Sequence, residues 1–505
     1  MAYQNDAIND SYTSNNLKED SLNVYLVEED VFYREKEVHE LTRVEKFQEN
    51  PQEKKWRLLR QAVIVFLSSL GMWSCGSVIT YSAVVAYDLE THNTTIYGDP
   101  IEFSSKEFDQ LSSLKTIAAI PGAFAIALLM EPLGRRLCMA ISGLLMVVGW
   151  FGIAFVHGVE GMLISRVISG VAVGGLSISI NTYIVEIVDR EIIGKMSVIA
   201  SSAILGGELV SLTLGYAFRY YTAGLLLLIF PVAFLLSLFW LPEVPSVLIL
   251  KGREEDARKI LVKLRGKYAD IDAEVQSCKD MNKVTEDNRS PWKELRARKT
   301  ILALVRVCIL FILMHLTGYY VVTANCTRIF MVAGSSIDDS IASVMVTSVQ
   351  LVGALFAGFL IDTLGRRKSL IISYGIMSVP LAVMAAYFGV CGEDILDGEM
   401  QKETNPYGWI PVVCLMTSQA AVVLGVNPVP FLLSNEYFPT FIRPQASGIC
   451  FVVSTLVGSI VLQLYTPMVE GMTEAGVFTF YACSCVVGIP FTFFFIKETK
   501  GKRVG

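Results

Sequence analysis

Twice along this chain a Gly-Arg-Arg turn follows closely on an acid: Leu133-Gly134-Arg135-Arg136 after Glu131, and Leu364-Gly365-Arg366-Arg367 after Asp362. Each copy is later joined by a glutamate in a comparable place, Glu186 or Glu436. Guanidinium–carboxylate pairs are bidentate and directional, and when partly hydrated they are cheap enough to exchange. That is the chemistry of a latch, not of bond cleavage. A second group of polar residues lies inside apolar sequence: Glu208, His315, Thr317, Asn325, Gln350 and Asn427. Polar groups at membrane depth are costly and mark pathways more often than they fill space. Catalysis has little support. There is no Walker loop, the four histidines have no metal-ligand spacing, and no cofactor or metal is expected. The basic residues line one membrane face, so nucleic acid is not an expected partner; the expected partners are a small solute and the lipid bilayer.

The elements that must position these residues are read from where charge is missing. The chain has 505 residues, 53% hydrophobic and 18% charged, with a net charge of −6. Charge-free runs of bilayer length recur: 27 residues between Arg60 and Asp88, 23 between Arg136 and Glu160, and comparable runs at 167–185, 220–242, 307–327, 340–361, 369–392, 404–435, 444–469 and 475–496. Two further spans, 111–130 with Lys115 near its outer end and 197–218 with Glu208 inside, bring the expected count to twelve. The short connections on one side carry sixteen Lys and Arg residues, against four (Lys106, Arg219, Arg328, Lys402) on the other. The positive-inside rule therefore places both termini in the cytoplasm. The tail 1–60 is polar and without a signal peptide. The bundles are expected at 61–242 and 300–497, joined by charged but periodic helices over 243–299, with a short tail at 498–505. Asn93 heads the sequon expected outside and clear of the bilayer, a candidate for glycosylation. The ten cysteines mostly fall within helices and read as small packing residues. The Gly-Arg-Arg copies lie 231 residues apart, a repeat at the scale of half a two-bundle transporter.

Longer motifs sharpen this. RVISGVAVGGLSISINTYIVEI resembles the fourth-helix signature of sugar porters of the major facilitator superfamily, and LPEVPSVL their Pro-Glu-Ser-Pro motif after helix six. NEYFPTFIRPQASG resembles the Glu-x-x-x-Pro-x-x-x-Arg signature after helix ten, one residue short between Glu and Pro, and KETKGK the C-terminal Pro-Glu-Thr-Lys-Gly. The stretch SSLKTIAAIPGAFAIALLMEPLGRR looks most like the insect trehalose-transporter branch. The resemblance covers residues about 60–502. It implies an all-α membrane protein with the major facilitator fold: twelve transmembrane helices in two six-helix bundles, plus short cytoplasmic helices. It further implies gating salt bridges on Arg135, Arg136 and Glu186, on Asp362, Arg366, Arg367, Glu436 and Arg443, and on the acids Glu243 and Glu498. Where the family's first-half signature has a second Arg, this chain has Ile193; Arg190, one turn earlier, is a possible substitute.

The resemblance also points to the cavity, where this chain departs from the pattern. The glutamines and asparagine of helix seven are replaced by the run Met314-His315-Leu316-Thr317-Gly318-Tyr319-Tyr320. The helix-five glutamine aligns with Ser201, the helix-eight asparagine with Gln350, and Gly-Pro-x-Pro-Trp of helix ten with Asn427-Pro428-Val429-Pro430-Phe431. Unsatisfied sugar hydroxyls cost roughly 1–3 kcal/mol each, so the site is altered. Ser201, Glu208, His315, Thr317, Asn325, Gln350, Asn427 and Phe431 are the candidates to line it. Glu208 lies two turns from Ser201, on the same face; it could bind a cation or a coupling proton, or pair with His315. The helix-one segment Cys75–Thr80 has no acid where proton-driven relatives carry one. The expected function is facilitated sugar or polyol transport at the plasma membrane. The alternatives are a cationic or proton-coupled carrier and a non-transporting sensor.

Overall fold

The computed structural model describes residues 51–92, 94–101, 103–189, 192–266, 271–276, 279, 296–335, 337–396, 407–438 and 442–499. Apart from one isolated bridge between Thr94 and Pro100, regular structure among the described residues is helical. The first half contains α1 (Pro51–His92), α2 (Ser105–Leu133), α3 (Arg135–Phe155), α4 (Val159–Ile187), α5 (Ile193–Ala217), and the pair α6 (Tyr220–Leu227) and α7 (Ile229–Ser237). Short helices α8 (Pro245–Leu250) and α9 (Glu254–Arg265) follow. The second half contains α10 (Arg298–Leu316), α11 (Tyr319–Ala333), α12 (Asp339–Leu364), α13 (Arg366–Leu396), α14 (Ile410–Leu424), α15 (Pro428–Glu436), α16 (Arg443–Gln463) and α17 (Tyr465–Phe495). Among the described residues, twelve stretches are long and apolar enough to cross a membrane, with α6–α7, α10–α11 and α14–α15 each forming one broken span. The count matches the twelve expected.

Contacts gather Leu59–Leu264 and the described residues beyond 270 into one compact unit, and the features described below lie in it. Within the first half, α4 packs on α2 and α3; within the second, α13 packs on α14 and α17, and α12 on α14. Between the halves, α2 meets α16 and α5 meets α12.

Local sequence explains the ends. Ser104 and Glu107 cap α2 reciprocally, the Ser104 N–H donating to Glu107 Oε2 at 2.7 Å and the Glu107 N–H to Ser104 Oγ at 3.3 Å. Asp338 caps α12 by accepting the N–H groups of Ser340 and Ile341. Prolines stand in the first turn of α8, α14, α15 and α16, where their missing N–H costs nothing. Gly134 and Gly365 turn the chain sharply at φ +93° and +91°, a conformation that a Cβ disfavours.

Lipid supplies no hydrophobic drive for helices to associate, so close backbone approach must. Gly170 and Gly174 of α4, one turn apart, bring that helix against the backbone of Lys115 and Ala119 in α2. Large apolar side chains instead face outward, including Phe124, Leu128, Ile164, Phe239, Phe356 and Phe494, as a lipid-facing surface requires. In α9 the buried residues Ala257, Leu261 and Leu264 share one face, while Glu254, Glu255 and Asp256 occupy the first turn. Buried Gln61 ties this helix to the bundle, donating to the Leu264 carbonyl at 2.9 Å and accepting from the Asp189 N–H at 3.0 Å.

Candidate functional site

The Gly-Arg-Arg turns build two matching networks. Arg135 donates through Nε and Nη2 to Glu186 Oε1 at 3.2 and 2.9 Å, and Ser246 holds the other oxygen at 2.7 Å. Arg366 does the same to Glu436 Oε1 at 3.1 and 2.9 Å, with Thr499 donating to Oε2. Glu243 accepts the N–H groups of Arg135 and Arg136, and Glu498 those of Arg366 and Arg367. The ion pairs at these two turns, Arg135–Glu186 and Arg366–Glu436, thus each join residues of the same half. The side chains of Asp362, Arg443 and Ile193 lie outside the described residues, as do Asn93 and Arg190.

The predicted solute residues fall into two groups. Glu208, His315, Asn325 and Gln350 are buried in the protein, whereas Ser201 is exposed and Asn427 half-buried. Thr317 spends its hydroxyl proton on the Met314 carbonyl at 2.7 Å, at the break between α10 and α11. The open helix end, not a solute, uses that donor. Phe431 packs edge-on against Phe311 with ring centroids 4.8 Å apart. The sequence admits a Glu208–His315 pair, but the partner of His315 Nε2 is Ser454 Oγ at 2.9 Å. The charge acting on the Glu208 carboxylate is instead that of Lys115, and Glu208 acts on Lys115 in return.

Around Tyr319 and Tyr320 the buried groups converge. The His315 ring sits 5.7 Å from each tyrosine ring, and the two tyrosines are 5.9 Å apart. Tyr320 shares a hydrogen bond with Thr116 at 3.3 Å. Four buried polar atoms in this region have no hydrogen-bond partner among the described residues: Glu208 Oε2, His315 Nδ1, Asn325 Nδ2 and Gln419 Oε1. The rest of Gln419 is engaged, its amide donating to the Tyr319 carbonyl at 3.1 Å. Asn325 sits at a kink in α11 (φ −122°, ψ 23°), its Oδ1 accepting from Ser112 at 3.2 Å.

Three site residues escape the sequence reading. Lys115 is buried and donates to the Ile79 carbonyl. Arg166, fully buried, donates to the carbonyls of Leu111 and Val78 at 3.1 and 2.9 Å and to Ser82 Oγ. Gln419 is the third. The signal was available: a cation seven residues into a helix that starts at Val159, and an amide within an apolar run.

The family profile described as "Sugar (and other) transporter" matches residues 61–504. Among characterised relatives, the chain is 28% identical over 450 residues to the facilitated trehalose transporter Tret1 of Bombyx mori, covering 88% of this chain and 86% of that one. Against the protein of the same name from Aedes aegypti, identity is 26% over 448 residues. There the chain spans about half of the relative's length, 54%. Among solved structures, the inward-open xylose transporter XylE from E. coli superposes with a TM-score of 0.72 at 20% identity, over 87% of this chain and 97% of that one. The XylE structure bound to 6-bromo-6-deoxy-D-glucose superposes at 0.67 and 22%, over 87% and 97%.

Proposed function

From the premise that this chain belongs to the sugar (and other) transporter family, we propose that it carries trehalose, a hexose or a related polyol down its gradient by alternating access. The Gly-Arg-Arg end faces the cytoplasm of a plasma-membrane protein, and the solute sits against Tyr319 and Tyr320. The observation that carries this reading is the set of partnerless polar atoms on Glu208, His315, Asn325 and Gln419 around two aromatic rings. Each such atom left unpaired costs roughly 1–3 kcal/mol. A polyol offers hydroxyl donors and acceptors at matching density and an apolar C–H face for the rings. No acid stands in Cys75–Thr80, so uniport needs no further group. The Gly-Arg-Arg networks exchange partners across the halves in the opposite-facing state.

A second reading, proton or cation coupling through Glu208, rests on the partnerless Glu208 Oε2. One experiment separates the two. Vesicles containing the protein are tested with labelled trehalose, hexoses, polyols and organic cations, and the pH profile is repeated with Glu208→Gln. Sugar-selective flux with superimposable pH profiles is expected. Flux confined to cations, or a pH dependence lost in Glu208→Gln, would replace uniport with the second reading.

A further inference from the structure

We propose that one face of α2 is a polar zipper shutting the end of the molecule opposite the Gly-Arg-Arg turns, with Asp109 and Arg328 as its clasp. Residues 109, 112, 113 and 116 recur at helical spacing and lie on one face. Each bonds to the second half. Asp109 Oδ1 pairs with Arg328 Nη1 at 3.4 Å, and its Oδ2 accepts the Thr466 N–H at 3.1 Å. Ser112 donates to Asn325 Oδ1 at 3.2 Å, Ser113 donates to Gln463 Oε1, and Thr116 meets the Tyr320 hydroxyl at 3.3 Å. Asp109 lies about 24 residues before Leu133, which at 1.5 Å per residue is about 36 Å along the helix from the turn. The zipper and the Gly-Arg-Arg turns therefore occupy opposite ends of the same span.

The clasp is built to hold yet release. The Asp109 side chain is 1% exposed and that of Arg328 21%, so the carboxylate is desolvated while the guanidinium keeps contact with solvent. Arg328 also lies over the Tyr465 ring at 5.8 Å and bonds to Thr466 Oγ1 at 3.4 Å. Removing the cation would leave a buried acid with only Thr466, through its N–H and hydroxyl, to answer its charge, which disfavours the closed arrangement. The inner rungs belong to the candidate solute site as well. Asn325 gives one amide atom to the zipper and leaves Nδ2 for a solute, and the Tyr320 hydroxyl is held by Thr116. Solute occupancy and opening of this end thereby compete for the same side chains, whatever the solute is.

The test uses the full-length chain in sealed vesicles, with Thr116→Cys as reporter and an impermeant maleimide applied to the face away from the Gly-Arg-Arg turns. Asp109→Asn and Arg328→Gln are each expected to raise the labelling rate at least fivefold over the reporter alone. Labelling needs no transport, so the result stands apart from the identity of the solute. A second arm covers loss of folding: Asp109→Cys with Thr466→Cys, joined by a short cleavable bis-thiol linker, is expected to arrest solute exchange until the linker is cut. Unchanged labelling in both charge variants, or full exchange in the linked chain, overturns the proposal.

Discussion

In the first-half turn, Glu243 Oε1 alone receives the N–H groups of Arg135, Arg136 and Val244, at 3.2, 3.3 and 3.1 Å. In the second-half turn, Glu498 spreads its load, taking Arg366 N–H on one oxygen at 2.9 Å and Arg367 N–H on the other at 3.1 Å. Three donors crowding one oxygen share its lone pairs and sit farther away, whereas the two turn N–H groups that go to separate oxygens make shorter contacts. Arg367 adds a contact of its own, its guanidinium lying 4.7 Å over the Phe493 ring while it donates to the Phe493 carbonyl. The same motif has thus been tied loosely in one half and tightly in the other. The lesson is mechanical: if the halves rock as proposed, the first-half turn is expected to give way more readily and the second-half turn to set the geometry to which both return.

The largest effect is expected from the glycines. At Gly365 a Cβ would adopt a disfavoured φ and press on the Glu498 carboxylate; at Gly134 the corresponding contact with Glu243 is less severe. Gly365→Ala should lower stability by about 3 kcal/mol and Gly134→Ala by about 2, measured by thermal unfolding in detergent. Equal losses, or the reverse order, would erase the asymmetry. Next in size is removal of the paired cation. Arg366→Ala should cut uptake on the order of tenfold, a transition-state loss of ~1.4 kcal/mol, and Arg135→Ala by about threefold, with insertion preserved in both. Flux measured per inserted molecule decides, and unchanged flux in Arg366→Ala would remove the latch assignment. The smallest is Phe493→Leu, which deletes the ring under Arg367 and should cost about 0.5–1 kcal/mol; a null result would place the asymmetry in Glu498 alone.

The fold was legible because the solvent dictates it. Twelve bilayer-length apolar runs leave few ways to satisfy a backbone in lipid, and the Gly-Arg-Arg repeats announced the matching turns. The site was legible only in part. Glu208, His315 and Asn325 stood out as polar residues in apolar helices, and the structure buries all three. Partnership was not legible, because bonds between residues far apart in the chain leave no periodic trace. The Lys115–Glu208 interplay spans more than ninety positions between α2 and α5, and the His315–Ser454 bond joins α10 to α16. The Thr317–Met314 bond was not legible either, because a hydroxyl beside a helix break can be consumed by the break itself. Arg166 is hidden in the sequence because the charge-free run of its span begins just after it, at Val167.

The mutual influence of Lys115 and Glu208 has a consequence for descent. Both are buried, and a lone ion in such a medium costs several kcal/mol, so the two positions are expected to drift together. Relatives that have replaced the lysine with an apolar residue should also have lost the acid, and ancestors of this chain should have gained the two within a short interval. Such paired inheritance makes the two positions a single evolutionary character, written in two places.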